Sequence, residues 1–188
     1  MPKQLPLNSR LATAAEIAVR ARIFFDIWWL YEGADTRSAY LDRMNSAPDF
    51  FRFDSHAHFV SFIMYLATLF DRRNDTINLH RLEQELTKIK SLDILRAAQT
   101  RKFFASADKT ASKIIKLRHN LFAHRSAHLT YAEVFRLASV SAKEMCELTE
   151  ISLSLVNIFL SARSLPEKVF SVEPLKDALT VLDKLGSA

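Results

Sequence analysis

Apolar residues recur every three or four positions along most of this chain, the spacing that places side chains on one face of an α-helix. One clear stretch comprises Phe59, Phe62, Ile63, Leu66, Leu69 and Phe70. A second comprises Val134, Leu137, Met145, Leu148, Ile151, Leu155 and Phe159. The two glycines are Gly33 and Gly186, and no proline occurs between Pro48 and Pro166, so the residues that most often make tight turns are nearly absent. The pattern predicts a chain that is almost entirely helical.

Start and stop signals divide the first half of the chain into four predicted helices, over about residues 13–31, 36–44, 54–70 and 79–90. Gly33 is placed as the stop of the first helix, whose apolar part includes Asp26, expected to pair with Arg22 four residues earlier. Asp54-Ser55 are expected to cap the third helix, and Asn78 the fourth.

The second half carries the remaining predicted helices. Ser91 is expected to cap a helix that breaks near residues 106–108, after which another starts near Thr110 and reaches His124. Thr130 with Glu133 forms a capping box that opens a long helix to about residue 162, antiparallel to the one before it. A last short helix starts at Glu173-Pro174 and ends at Gly186.

The length of 188 residues suits one domain with one good core. We therefore expect a single all-α domain over residues 1–188, an antiparallel helical bundle with its core at about 13–162. A C-terminal extension with a short helix occupies about 163–188.

Composition indicates what kind of partner and which cellular compartment suit the protein. A formal net charge of +5 favours polyanions or an acidic partner without specifying either. The single cysteine, Cys146, cannot form an internal disulfide, which suits a reducing compartment. The N-terminus lacks the apolar run of a signal peptide, and the apolar segment 151–160 is interrupted by polar residues, so we expect a soluble cytoplasmic protein with no membrane association.

The candidate chemistry lies in the segment Lys116-Leu-Arg-His-Asn-Leu-Phe-Ala-His-Arg125. No Asp or Glu occurs from residue 109 to residue 132. The basic residues in that range include Lys109, Lys113, Lys116, Arg118 and Arg125. An arginine clamps phosphate through a planar fork of donors, and a histidine can donate or accept a proton at neutral pH. These are the two parts that a metal-free ribonuclease needs.

Arg118 occupies an unusual position for a charge. On a helical wheel it falls about 40° from Ile114, inside the apolar arc of the segment. A guanidinium there needs a partner because burying an unpaired charge costs several kcal/mol. The candidate partners are a carboxylate such as Asp71 or Glu147, a second subunit, or a ligand phosphate. Alternatively, the Arg118 side chain extends past the apolar rim to water.

Arg118 and His124 are six residues apart, hence about 120° apart around a straight helix and roughly 9 Å along it. A common site therefore requires the helix to bend or end near Ala123, or requires two copies of the segment to face each other across a dimer. His56 and His58 are two apart on a helix and point to different faces, so we expect no metal site there.

The Arg118-to-His124 segment, late in an all-α chain, resembles the signature of HEPN domains. Leu69-Phe70-Asp71-Arg72, followed by Ile77-Asn78-Leu79, is similar to the abortive-infection AbiU-like branch of that superfamily. The resemblance implies a helical bundle, a homodimer that brings two motifs into one cleft, and a metal-independent endoribonuclease serving as a toxin or phage-defence effector. It implies no cofactor.

The resemblance also implies roles for individual residues. Arg118 would hold the scissile phosphate of RNA, and His124 would act as general acid or base while the 2′-hydroxyl attacks. Many relatives have Asn directly after the Arg, whereas this chain has His119 and then Asn120, so either residue could position the phosphate or orient His124. The nearby cations Lys113, Lys116 and Arg125 are expected to contact RNA.

Two alternatives use the same residues without catalysis. The chain could be a HEPN interaction module that binds RNA or a cognate antitoxin protein through this face without cutting. It could also be a structural helical dimer in which Arg118 and His124 form a buried polar pair that keeps the helices in register.

Overall fold

The computed structural model describes residues 4–73, 75–123 and 138–186, with residues 133 and 136; at 121–123 it describes the backbone alone. These residues contain seven α-helices, one π-helical segment and no strand, which confirms the all-α fold class. The α-helices are α1 (Leu7–Glu32), α2 (Arg37–Asn45), α3 (Pro48–Phe70), α4 (Leu79–Lys88), α5 (Ile94–Leu117), α6 (Ala142–Ser161) and α7 (Glu173–Leu185). The π-helical segment, Arg118–Ala123, follows α5 directly.

Several predicted helix ends are confirmed. Helix α1 stops at Gly33, whose backbone N–H donates to the Trp29 carbonyl at 2.7 Å, and a Cβ on Gly33 would lie 2.6 Å from that oxygen. The Asn78 side chain caps α4 by accepting from the Arg81 backbone N–H at 2.9 Å. The expected pair within α1 forms, with Arg22 Nε donating to Asp26 Oδ1 at 2.7 Å.

The predicted start of α3 at Asp54-Ser55 is wrong. The helix begins at Pro48, whose fixed φ and missing N–H suit the first turn of a helix. Ser55 lies inside the helix and is buried, and its hydroxyl donates to Glu32 at 2.8 Å instead of capping.

The predicted break near residues 106–108 is also wrong, because α5 runs without interruption from Ile94 to Leu117. Ala107 and Ala111 are buried in the core, and the Ser106 hydroxyl donates to the Lys102 carbonyl within the helix. Burial of the apolar face therefore outweighs the weak helix propensity of the Ser-Ala-Asp stretch. The cap is Asp93, which accepts from the Arg96 backbone N–H at 2.8 Å, and not Ser91 as predicted.

The predicted helix from Thr130 to about residue 162 is wrong over residues 139–141, which are not helical. Ser139 has a φ of 46°, and α6 begins after it with a capping box between Ser141 and Glu144. The box predicted at Thr130 lies outside the described residues. The predicted end near residue 162 is confirmed, since α6 ends at Ser161.

The main core forms where α1 packs against α3 and α6, with α5 completing the bundle. Ala14, Ala15, Ala18 and Ala21 are fully buried on α1, and their small side chains let the neighbouring helices approach closely. Among the described residues, Phe62 and Phe159 have the largest fully buried side chains.

A second, smaller cluster holds the C-terminal helix. Leu182 of α7 is fully buried against residues of α1, α2 and α3, among them Leu30, Met44 and Phe51. As predicted, α7 is short, begins at Glu173-Pro174 and is followed by Gly186. Across the described ranges, no helix has the length and apolarity to cross a membrane.

Candidate functional site

Arg118 lies at the junction between α5 and the π-helical segment, with 9 % of its surface exposed. Its Nη1 donates to Asp71 Oδ2 at 2.8 Å. Of the partners considered from the sequence, Asp71 is the one that the structure places against Arg118. The pair joins the end of α3 to the end of α5.

Asp71 is well placed to hold this charge. Its backbone N–H donates to the Ala67 carbonyl at 2.9 Å and closes α3, while its Oδ1 accepts from the Arg73 backbone N–H at 3.2 Å. The Asp71 and Arg118 side chains are only 11 % and 10 % exposed, so their mutual attraction is weakly screened by water. The guanidinium is thereby fixed in direction.

His119 contacts the same guanidinium. Its Nε2 lies 3.1 Å from Arg118 Nη2, and because arginine can only donate, this imidazole nitrogen accepts. The contact therefore leaves Nδ1 as the ring nitrogen that is available to other partners. The His119 side chain reaches the surface, so it is the exposed member of the Asp71, Arg118 and His119 cluster.

Asn120 acts on the backbone. Its side-chain Nδ2 donates to the Lys116 carbonyl at 2.9 Å, the oxygen that the Asn120 N–H would use in an α-helix. This bond satisfies the carbonyl where α spacing gives way to the wider π spacing, a change that is frequent at functional sites. In this structure it is therefore His119 that touches Arg118, while Asn120 stabilises the junction.

The other predicted site residues are distributed as follows. Lys113 is paired with Glu144 of α6, with Nζ and Oε1 2.6 Å apart, and Lys116 is exposed in the last turn of α5. His124 and Arg125 lie outside the described residues. The structure thus brings Arg118 and His119 together and places Lys113 in a contact between helices.

A groove that sequence reasoning did not single out adjoins this cluster. It has a volume of about 450 Å³, and its lining includes Asp71, Arg72, His80, Phe104 and Asp108; we call it the His80 groove. The His80 and Phe104 rings stack, with centroids 4.3 Å apart and planes 15° apart. Burial and the nearby Arg72 charge lower the pKa of His80, which keeps the ring neutral near pH 7. Nothing in the local sequence links Phe104 to His80, because the two residues lie on different helices, α5 and α4.

His58, one of the two histidines of α3, is engaged by neighbouring residues of α3 and α1. His58 Nδ1 donates to the Asp54 carbonyl at 2.8 Å, and its ring packs against Phe24 and Tyr31. In the part of the chain that the structure describes, no three His, Cys, Asp or Glu side chains are grouped so that they could hold a metal ion.

A buried arginine at a helix junction, paired with an acid and followed by a histidine, thus lies within an all-helical bundle. The family model HEPN_AbiU2, described as AbiU2, matches residues 9–157. Since the match covers most of the chain, including Asp71 and Arg118, the protein belongs to the AbiU2 family of HEPN domains. Searches of curated proteins and of solved structures found no significant match.

Proposed function

We propose that this protein is a metal-independent endoribonuclease of the HEPN class, acting as a toxin or abortive-infection effector in the cytoplasm. The observation that carries the proposal is the guanidinium of Arg118, which is fixed in direction and has only some of its N–H donors in use. It is held by Asp71 at 2.8 Å and touched by His119 at 3.1 Å, at the start of the motif. Membership of the AbiU2 family supports the same conclusion.

Arg118 would bind and stabilise the scissile phosphate. A guanidinium has five N–H donors, and the contacts to Asp71 and His119 use one on Nη1 and one on Nη2. The remaining donors can bond phosphate oxygens, whose negative charge grows as the 2′-oxygen attacks. Because Asp71 holds the guanidinium in place beforehand, little reorganisation is needed when the charge develops.

His124 would move the protons. One imidazole takes the proton of the 2′-hydroxyl as that oxygen bonds to the adjacent phosphorus, and the bond from phosphorus to the 5′-oxygen breaks. A protonated imidazole gives the leaving 5′-oxygen its proton. The products are therefore a 2′,3′-cyclic phosphate and a free 5′-hydroxyl.

Two imidazoles in complementary protonation states are available when two copies of the chain meet, so we propose a homodimer as the active form. Lys113, Lys116 and Arg125 would attract RNA to the cleft, and a cognate antitoxin protein would restrain activity. For Lys113 this requires its contact with Glu144 to be shared with, or exchanged for, a phosphate.

The test incubates the purified protein with RNA in excess chelator and identifies the ends of the products. We expect the wild type to yield cyclic-phosphate and 5′-hydroxyl ends. His124→Ala and Arg118→Lys should lower the rate at least about a hundredfold, because each removes a proton-transfer or planar donor group. Arg52→Gln, an exposed arginine near the start of α3, is the matched control and should cut normally.

Equal activity of wild type and His124→Ala would contradict the proposed catalysis, as would products carrying 5′-phosphate ends. Light scattering on protein eluting from a size-exclusion column tests whether the protein is a dimer. A strictly monomeric active species would contradict that part of the proposal.

The pairing of Arg118 with Asp71 specifically favours a second candidate, a HEPN module that binds RNA or an antitoxin without cutting, since a paired arginine already has a structural role. This candidate expects Arg118→Ala to weaken complex formation while wild type and variant leave RNA equally intact. A binding titration showing unchanged affinity for Arg118→Ala would reject it.

A further inference from the structure

The His80 groove continues beyond the cluster around Arg118. Arg72 and His80 also line an adjoining pocket of about 240 Å³, together with Arg73, Asn78, Arg81 and Gln84; we call it the arginine pocket. Because Asp71 lines the His80 groove and binds Arg118, that groove begins one side chain away from the candidate phosphate site. The arginine pocket shares Arg72 and His80 with the groove and so lies directly beside it.

The His80 groove has the size and surface of a site for a flat aromatic ligand. Its volume of about 450 Å³ falls in the range of small-molecule sites. The stacked His80 and Phe104 rings both line it and are both half-buried, so an apolar ring surface is presented beside polar groups. Unpaired nucleic-acid bases are recognised by stacking on such rings, whereas bases inside a duplex have both faces covered.

The arginine pocket supplies the charge that a nucleic-acid backbone requires. Of the six described residues that line it, three are arginines and none is acidic, and one of these arginines, Arg81, is paired with Glu85 at 3.4 Å. Arg72 contacts Asp108 at 3.3 Å and Arg73 contacts Asp75 at 2.6 Å, but all four side chains are more than 60 % exposed. Exposed ion pairs of this kind contribute at most about 1 kcal/mol, so a phosphate can compete for these guanidiniums.

The two carboxylates in the His80 groove do not oppose an anionic ligand strongly. Asp71 is neutralised by Arg118, and the Asp108 side chain is 68 % exposed, so water screens its charge even when Arg72 contacts a phosphate. The two rings thus lie beside Arg72 and Arg73, whose ion pairs are exposed to water, and this favours a ligand carrying both a base and phosphates over a purely anionic one such as an acidic peptide.

We propose that the His80 groove and the arginine pocket bind an unpaired nucleotide of single-stranded RNA adjacent to the linkage held at Arg118. The base stacks on one end of the pair formed by the His80 and Phe104 rings, and the flanking phosphates contact Arg72 and Arg73. The proposal rests on the proposed function for the position of the scissile linkage, and it makes the substrate single-stranded at this point.

The test separates binding from cutting by using a fluorescent 2′-O-methyl oligoadenylate, which lacks the attacking hydroxyl, in anisotropy titrations with the full chain. A second oligonucleotide of equal length replaces the bases with abasic residues and so keeps the charge. We expect His80→Ala to weaken oligoadenylate binding about tenfold, the size of one lost base-stacking contact. His80→Phe should restore binding because it restores an aromatic ring.

The abasic oligonucleotide should bind weakly and equally to wild type and His80→Ala. Arg72→Gln combined with Arg73→Gln should weaken both oligonucleotides and reduce the salt dependence of binding, since fewer phosphates are neutralised. Arg52→Gln is the control for charge alone, because it removes one exposed arginine about 27 Å along α3 from Phe70. Thermal unfolding of each variant checks the fold, and the double arginine variant, altered only at exposed side chains, serves if His80→Ala unfolds.

Equal affinity of wild type, His80→Ala and the double arginine variant would overturn the proposal even if the protein cuts RNA. Loss of affinity in the double variant with no effect of His80→Ala or of the missing bases would overturn the stacking and leave a general polyanion surface. Conversely, binding that depends on His80 in a protein that leaves RNA intact would support the groove and contradict the proposed cleavage.

Discussion

Arg118 is a cation held where apolar residues would otherwise pack, and its neighbours account for that. Asp71 neutralises it, and His119 accepts from its other terminal nitrogen. In a weakly solvated setting a paired charge is tolerated, whereas one left unpaired costs several kcal/mol. The same contacts that make the charge tolerable also orient it for a phosphate.

Asp71→Asn tests this coupling at the level of stability. The amide still accepts a hydrogen bond but cannot neutralise the buried guanidinium, so we expect the free energy of unfolding to fall by about 2 kcal/mol. Urea unfolding measures the change. Asp75→Asn, which removes a carboxylate from an exposed pair with Arg73, should change stability by less than about 0.5 kcal/mol, and equal effects of the two substitutions would contradict the argument.

Thr100 offers a second test at a single residue. Its hydroxyl is buried and, among the described residues, is the one buried side-chain polar atom that makes no hydrogen bond. Thr100→Val should therefore leave stability unchanged or raise it by up to about 1 kcal/mol, as the desolvated hydroxyl is removed. Thr149→Val is the matched control, since the buried Thr149 hydroxyl donates to the Cys146 carbonyl at 2.6 Å, and this variant should lose about 1 kcal/mol in the same assay.

Among the elements, α5 and α6 are joined by a charged contact at the start of α6. Glu144 accepts from Lys113 Nζ at 2.6 Å and from the Ser141 backbone N–H at 2.8 Å, so one carboxylate both caps α6 and binds α5. The lysine, followed by these capping bonds, lowers the pKa of Glu144 from 4.5 to about 2.

This pKa sets a direction for the pH dependence of stability. Because the folded-state pKa lies below the unfolded-state value, the carboxylate stabilises the fold fully above pH 4.5, and this contribution is lost as the pH falls toward about 2. Chemical unfolding across that range should show the loss in wild type and a flatter profile in Glu144→Gln. Glu147→Gln, on the exposed face of α6, should keep the wild-type slope, and a wild-type slope in Glu144→Gln would contradict the assignment.

The π-helical segment is the element on which the site depends. Its six residues begin with Arg118 and end with Ala123. A common site for Arg118 and His124 was predicted to need a bend or an end of the helix near Ala123, or else two copies of the segment facing each other across a dimer. The Asn120 side chain donates to the Lys116 carbonyl where α5 gives way to this segment, and the contact stabilises the junction.

At the scale of the whole molecule, α7 closes a second cluster against α1, α2 and α3. Leu182 is its fully buried apolar anchor, and Arg43 of α2 forms an ion pair with Asp183 beside it. The C-terminal segment is therefore part of the packed structure, although its local sequence indicates only a short helix.

Leu182→Ala should lower the free energy of unfolding by about 2–4 kcal/mol, through lost burial and the cavity left behind. Urea unfolding followed by circular dichroism measures this. Leu185→Ala, at a side chain that is 38 % exposed, should cost much less, and a similar loss in both variants would show that α7 packs differently.

Much of this architecture could be predicted from local chemistry. Gly33, Asn78 and Gly186 mark helix boundaries because backbone geometry and capping depend on neighbouring residues alone. The break predicted within α5 was wrong because burial of Ala107 and Ala111, a tertiary effect, outweighs local propensity. The start of α3 was misplaced because Asp54-Ser55 is a good cap by composition, whereas Pro48 is the residue that opens the helix.

The sequence by itself determined the all-α class, the Arg22 to Asp26 pair and the buried position of Arg118, since helical periodicity alone decides which side chains share a face. The tertiary structure decided which carboxylate meets Arg118 and which aromatic ring meets His80. Arg118 lies 47 positions from Asp71, and Phe104 lies 24 positions from His80. Only the packing of α3, α4 and α5 brings the members of each pair into contact.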